Sequence, residues 1–312
     1  MQSYPHVDDF LRRAADPELL AILTIQNVLL QELQYYAVNQ GFTQLMPLLL
    51  SPFTDPLNHQ VYPAELQYED KKLQLTASMI FHKQLSLIPE GMDKIFIMSP
   101  NIRLELASKK SSENHLLEFS QFDLEMKNAS MEDVMHFIEG LFVTLFETVE
   151  KKCAGELKIL GRSLPGLSQP FPRYSTRGIP LEKVDAFCAQ VSEEAQSPCF
   201  ITSFQREFYD RYDPDVPGAY RNFDLVYPQG YGEALSGAER EYIYDDIIRH
   251  MRETSTGTAL FENYLEIARR GLLPKTAGAG IGIQRLLKFI CGKRVIADVC
   301  LFDRSINSTF TF

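Results

Sequence analysis

Apolar residues fall into a helical rhythm just after Asp16-Pro17-Glu18. In LLAILTIQNVLLQELQYYAV, large side chains recur three and four apart until Gly41, which predicts a helix of about 20 or more residues. Asp16 supplies an N-cap, Pro17 fits the first helical position, and Glu18 places an acid in the first turn. The next stretch, FTQLMPLLLSP, turns β-like and is broken by Pro47 and Pro52. A second helix is expected from Ser130, where SMED has the pattern of a capping box, to about Cys153. IFIMSP, EFSQFDLEM and FDLVYP are short aromatic or β-branched runs that predict strands. GIQRLLKFICG predicts a helix entered through glycines, and residues 155–180, rich in Gly, Pro and Ser, predict a connecting loop. Helix, strands, helix and strands in this order predict an α+β domain with a mostly antiparallel sheet flanked by helices.

Charge narrows the partners. The 312 residues carry 41 acids against 31 Lys and Arg, a formal charge of −10. Binding a polyphosphate chain needs clustered cations that displace its counterions. Here the three Lys-Lys doublets, Lys71-Lys72, Lys109-Lys110 and Lys151-Lys152, each have an acid within three residues. No apolar run is long enough to cross a membrane, and the start has no signal-peptide core. Five dispersed cysteines form no CxxC or Cys/His cluster, so neither a zinc site nor a disulfide framework is expected. Together these features point to a cytoplasmic protein.

Three constellations carry candidate chemistry. SPNIRLE (99–105) and HLLEFSQFDLEM (115–126) flank a polar loop. Read as strand–loop–strand, they put Arg103 and Glu105 on one face and Asp123 and Glu125 on one face, because side chains two apart project together. An arginine there can clamp a carboxylate and a phosphate with its planar fork, whereas the bland reading is an exposed hairpin with cross-strand ion pairs. In RNFDLVYPQGYGEALSGAERE (221–241), Asp224 and Glu233 offer hard oxygens for Mg²⁺, with Ser236 adding a third and Arg240 standing beyond them. In AGAGIGIQR (277–285), Gly278, Gly280 and Gly282 precede a helix that bears Arg285 in its first turn. The spacing and the short remaining chain exclude a dinucleotide-binding βαβ unit. What remains is a backbone that approaches something flat or anionic. His82 and His136 read as core or helix-surface residues.

Taken in order, these segments resemble the catalytic core of a class II aminoacyl-tRNA synthetase of the aspartyl/asparaginyl subgroup. The helix and Pro47 strand (about 18–50) look like motif 1, residues 95–127 like motif 2, and 277–292 like motif 3. LTASMIFHKQ (75–84) is similar to the subgroup's substrate-reading helix and GYGEALSGAERE (230–241) to its metal- and substrate-reading segment. With REFYDR (206–211), the same stretches also resemble a short archaeal asparagine synthetase related to asparaginyl-tRNA synthetase, a family without the anticodon-binding domain. The resemblance implies a single catalytic domain over 1–312, a homodimer built through motif 1, and ATP with Mg²⁺ as cofactors. It implies that an aspartate-like amino acid is activated as an acyl-adenylate and captured by ammonia or an amine, with tRNA not expected as a partner.

The resemblance also assigns roles. Arg103 would grip the α-phosphate and the reacting carboxylate. Phe119 would stack on adenine, with Arg285 on its other side reaching the γ-phosphate and Glu105 meeting the adenine edge. His115 and Gly282 would complete the ATP site. Asp224 and Glu233, helped by Ser236, would hold Mg²⁺. Lys83 and Arg240 would pair with a substrate side-chain carboxylate, and Asp123 would hold the ammonium, with Ser78 and Gln121 nearby. Asn114 stands where the subgroup carries an arginine, which leaves Lys109 or Lys110 to replace that cation. Alternatives are transfer to tRNA or a carrier, and a non-catalytic paralogue.

Overall fold

The structure is a computed structural model that describes residues 5–110, 112–205 and 207–309, so Arg206 of the REFYDR stretch and the last three residues lie outside it. A helix that the sequence pattern did not suggest, α1 (Pro5–Ala14), comes first. Helix α2 (Pro17–Asn39) follows with the expected ends. The Asp16 carboxylate accepts from the Glu18 N–H, and Gly41 turns the chain at φ +80°. Its stripe of Leu19, Ile22, Ile25, Leu29, Leu33 and Ala37 is buried, so packing rather than propensity fixes the helix. Helices α3 (Ile80–Leu85) and α4 (Met131–Lys152) come next. The box at α4 closes both ways: Ser130 Oγ accepts from Asp133 N, and Asp133 accepts from Ser130 N at 2.8 Å.

Residues 155–180 are not one loop. They include most of α5 (Ala154–Ile159) and a short strand, because Leu157 buries itself against the main core and Arg173–Ser175 joins the sheet edge. Gly and Pro mark residues 160–172, which hold no helix or strand. Helices α6 (Val184–Glu194), α7 (Tyr244–Glu253), α8 (Glu262–Arg269) and α9 (Ile283–Ile290) complete the set.

The main sheet has eight strands: β1 (Thr43–Leu45), β2 (Lys94–Ile102), β3 (Glu118–Lys127), β4 (Arg173–Ser175), β5 (Cys199–Thr202), β6 (Asn222–Tyr227), β7 (Gly232–Glu239) and β8 (Thr276–Gly282). Their order is β1-β2-β3-β8-β7-β6-β5-β4, antiparallel except for the two terminal pairs, β1 with β2 and β4 with β5. This is the expected mixed α+β fold. Period two separates the faces. Phe96, Phe122, Leu124, Phe223, Leu225, Leu235, Ala277, Ala279 and Ile281 face the core built by α2, α4 and α9. Alternate residues of the same strands, Gln121, Asp123, Glu125, Asp224, Gly278 and Gly280, occupy the opposite face. A second core around Phe81, Phe208 and Tyr264 packs α3, α7 and α8 together.

Two local features depart from the simple strand reading. Strand β2 ends at Ile102, and Leu104–Glu105 pairs with Val61–Tyr62 in a separate ribbon, so Arg103 sits at a break and no simple hairpin forms. In β7 the register shifts: Leu225 faces Leu235, but Val226 faces Glu233. This bulge at Ala234 turns Glu233 onto the face of Asp224 and Ser236, which regular alternation would forbid.

Candidate active site

The residues expected to bind nucleotide, metal or amino acid line one cavity of about 790 Å³ on the polar face of the sheet, whereas Glu125, Gly278 and Lys110 do not. At one end the motif 2 strands supply Arg103, Glu105 and Phe119. The Arg103 guanidinium lies 5.2 Å from the Phe119 ring centre, and its Nε donates to Ala77 O at 3.2 Å. Glu105, 5% exposed, meets His59 Nε2 through Oε1 at 3.1 Å, while its buried Oε2 has no hydrogen-bond partner. A buried acceptor without a donor is costly, so this oxygen is suited to an incoming N–H. Gln284 Oε1 of α9 accepts from Ser120 N at 3.0 Å and ties motif 3 to motif 2.

In the middle, Asp224 and Ser236 face each other across β6 and β7. Glu233 Oε1 accepts from Ser236 Oγ at 3.2 Å and pairs with Arg285 at 3.1 Å. Two carboxylates and a hydroxyl fit a magnesium ion that shares its shell with phosphates. Among the described residues no group of three or more His, Cys, Asp and Glu forms an all-protein metal site. His115 faces the same region. Burial first, then the Arg285 charge, pushes its pKa below the ordinary 6.5, so it is a neutral imidazole at pH 7.

At the far end lies a buried ionic lattice. Lys83, 2% exposed, donates to Asp123 at 2.8 Å and to Ala279 O at 3.2 Å, and stands 3.9 Å from Glu125. Arg240 reaches Glu125 at 3.1 Å, Asp210 at 3.5 Å and Gly278 O at 3.1 Å. Thr276 donates to Glu125, Ser99 to Asp123, and Asn101 to Gln121. Ser78 Oγ accepts from Ile80 N at the start of α3.

The glycines now have their reason. A Cβ at position 278 would stand 2.0 Å from Glu125 Oε2, and one at 280 would stand 2.7 Å from Asp123 Oδ1. The anions that the backbone of 277–282 approaches are the protein's own carboxylates. The acids of GYGEALSGAERE also separate by role. Glu239 pairs with Arg211 and Arg221, and Glu241 accepts from the N–H groups of Tyr242 and Ile243 just before α7, while Glu233 and Arg240 face the cavity.

Motif spacing did not single out Asp210, Thr276 or His59. Asp210 lay inside the noted REFYDR stretch, but its partner Arg240 is 30 residues away and only the fold joins them. Of the cations near Asn114, Lys109 lines the cavity but Lys110 does not. Asn114 instead accepts a hydrogen bond from Lys288 of α9. His82 is half-buried, stacks on Phe53 and meets Ser51 Oγ through Nε2 at 3.1 Å, and His136 is exposed on α4.

An antiparallel sheet carrying these three motifs in order defines a class II synthetase catalytic core. The chain belongs to the family of class II tRNA synthetases for D, K and N, which matches residues 7–305. It is 31% identical to the aspartate–tRNA(Asp/Asn) ligase of Methanopyrus kandleri over 94% of this chain and 69% of that one. It is 25% identical to the asparagine–tRNA ligase of Thermococcus gammatolerans over 93% and 70%. The fold matches Pyrococcus horikoshii asparaginyl-tRNA synthetase complexed with asparaginyl-adenylate, with a TM-score of 0.87 and 24% identity over 99% of this chain and 74% of that one. The chain is therefore homologous to AMP-forming ligases of the aminoacyl-tRNA synthetase type.

Proposed function

We propose that residues 1–312 act as one catalytic domain that activates an aspartate-like amino acid with ATP and passes the acyl group to ammonia or an amine. The observation that supports this most is the single cavity running from the partnerless Glu105 oxygen to the Lys83–Arg240 lattice. Adenine would lie on Phe119 with its amine toward Glu105. Asp123 would take the substrate ammonium, with Ser78 and Gln121 beside it, and Lys83 and Arg240 would take the side-chain carboxylate. Because both cations are already paired, the substrate carboxylate would exchange with Asp123 or Glu125 at Lys83 and with Glu125 or Asp210 at Arg240.

The substrate's reacting carboxylate oxygen bonds to the α-phosphorus, and the bond from that phosphorus to pyrophosphate breaks. Arg103 and Arg285 neutralise the charge that develops in that step, near His115 and Gly282. Asp224, Glu233 and Ser236 would hold Mg²⁺, which when bound neutralises phosphate charge. An amine then bonds to the acyl carbon and AMP departs. No side-chain nucleophile is needed.

Ammonia or an amine as acceptor is supported by the net charge of −10 and by the acids close to each Lys-Lys doublet in the sequence. Transfer to tRNA is the second reading, favoured by the named activities of the relatives. Among the described residues no helix is long and apolar enough to cross a membrane. Cys153, Cys199, Cys291 and Cys300 are free thiols, in keeping with a reducing cytoplasm. A homodimer through the motif 1 segment completes the proposal.

The test is AMP and pyrophosphate release with a panel of amino acids, with and without ammonium, beside tRNA charging by radiolabelled aspartate. Ammonium-dependent AMP release with aspartate supports the amide reading, and charging without it supports the second. Arg103→Ala should lower turnover by about a hundredfold or more while leaving the circular dichroism unchanged. Normal turnover would remove Arg103 from the phosphate.

A further inference from the structure

Lys288 is the least expected charge in the structure. It lies on α9 and is 4% exposed, yet it stands one helical turn beyond Arg285 on the same side of the helix. Its ammonium donates to the side-chain oxygen of Asn114, in the loop whose Lys109 and His115 line the cavity. The rest of that loop is held by its own atoms and by its neighbours: Asn114 N donates to Ser112 Oγ at 3.2 Å, Ile296 N donates to Glu113 O at 2.8 Å, and Asn307 Nδ2 donates to Lys110 O at 2.7 Å. The side chain of Asn114 is anchored through Lys288. Other charges crowd the same point. Lys288 lies 5.8 Å from the Tyr231 ring centre, Arg162 5.9 Å and Arg294 4.3 Å, while Glu113 is the nearby acid.

Burial and the neighbouring Arg285 and Arg294 charges weaken the hold of this ammonium on its proton, and a multiply charged anion in the same field would offset that cost. We propose that Lys288 is a positioning residue that holds the Asn114 segment over the polyphosphate end of the nucleotide and, through its charge, strengthens Arg285 there. The inference rests on the ATP-dependent reading given above. Burial, then the Arg285 charge, lowers the Lys288 pKa to about 8. The ammonium is therefore present below that pH and lost above it, so the effect should fade as pH rises.

The test is ATP–pyrophosphate exchange with saturating aspartate, which needs no acceptor, followed from pH 6.5 to 9.5 for the intact protein, Lys288→Met, Lys288→Arg and Arg285→Ala, where the range is chosen to span a lysine lowered by burial. In the unaltered protein KM for ATP should rise as pH passes about 8, with kcat changing less. Lys288→Met should have a KM raised about tenfold at pH 7 and no inflection, the loss of one charge-assisted contact. Lys288→Arg should keep a low KM and also lose the inflection, because a guanidinium does not titrate in this range. Should Lys288→Met keep both the KM and the pH profile of the parent while Arg285→Ala loses exchange, the role of Lys288 is overturned and the ATP reading stands. Should Lys288→Met raise KM with the inflection intact, the charge is not what acts and the proposal also fails. If the parent shows no exchange with any amino acid, the ATP reading falls and takes this one with it.

Discussion

Gly278 shows most directly how single residues set this site. Its absent side chain leaves room for Glu125, whose carboxylate then bridges Arg240 and Thr276 beneath the strand. A Cβ there would also stand 2.2 Å from Leu124 O, a backbone atom that cannot swing away. Gly278→Ala should therefore cost about 3 kcal/mol or more, or yield no soluble protein, because a well-packed interior has no cheap way to move. Gly282→Ala should cost less than about 1 kcal/mol, since its Cβ would find only Arg285 carbons at 3.6 Å and beyond. Urea melts of the two variants separate the cases, and equal losses would mean that carboxylate packing is not why position 278 is glycine. The glycine triplet was readable in the sequence as a place of close approach. The approaching groups were not, because the register that sets Gly278 against Glu125 joins residues 153 positions apart. For the same reason the sequence could show Asp224, Glu233 and Ser236 as oxygen donors but not the bulge that puts Glu233 beside the other two. A register shift is a property of the strand pair, not of either strand alone.

Elements divide along the same line. Helices α2 and α4 were legible to within a residue or two because Asp16, Ser130 and Gly41 act within one turn of themselves. Helix α5, strand β4 and the break at Arg103 were not, since each is short and depends on what packs against it. The α4 cap offers a check at this scale. Ser130→Ala removes one side of the capping box and should cost about 1 kcal/mol, near 2 °C in melting temperature for a chain of this size. Hydrogen bonds from the Ser130 side chain, then its backbone, hold the Asp133 carboxyl below its ordinary value of 3.8. A depressed carboxyl stabilises the fold above its unfolded pKa and loses that contribution as pH falls through the folded one. The difference between the parent and Ser130→Ala should thus be full at pH 6 and shrink below about pH 4, measured by urea melts at each pH. A gap that widened on acidification would show that the Asp133 carboxylate is not the partner that matters.

For the whole molecule, the proposed homodimer needs a surface on which to form. Strand β1 ends one side of the sheet, and the residues after it are exposed and apolar: Met46 is 86% exposed, Leu48 44%, Leu49 51% and Leu50 46%. A sheet edge beside such a run is a surface that a stable protein covers. The run is also wired to the chemistry. Leu48 O accepts from Thr76 Oγ1 at 2.6 Å and Leu49 O from Thr76 N at 3.0 Å, while the next residue, Ala77, offers the oxygen that orients Arg103. A second copy seated on residues 46–50 would fix Thr76 and Ala77, and through them the guanidinium proposed to meet the α-phosphate. Met46→Lys with Leu49→Lys should convert a particle of twice 35.7 kDa into one of 35.7 kDa in sedimentation equilibrium. ATP–pyrophosphate exchange should fall by up to about a hundredfold in the same variant, the scale of loss when a reacting group is misplaced by about 1 Å. A monomeric variant with full exchange would cut the link between interface and site, whereas a parent that sediments as a monomer would leave the apolar run to some other partner. The loss should appear in kcat more than in stability, because every substituted side chain is exposed within one protomer.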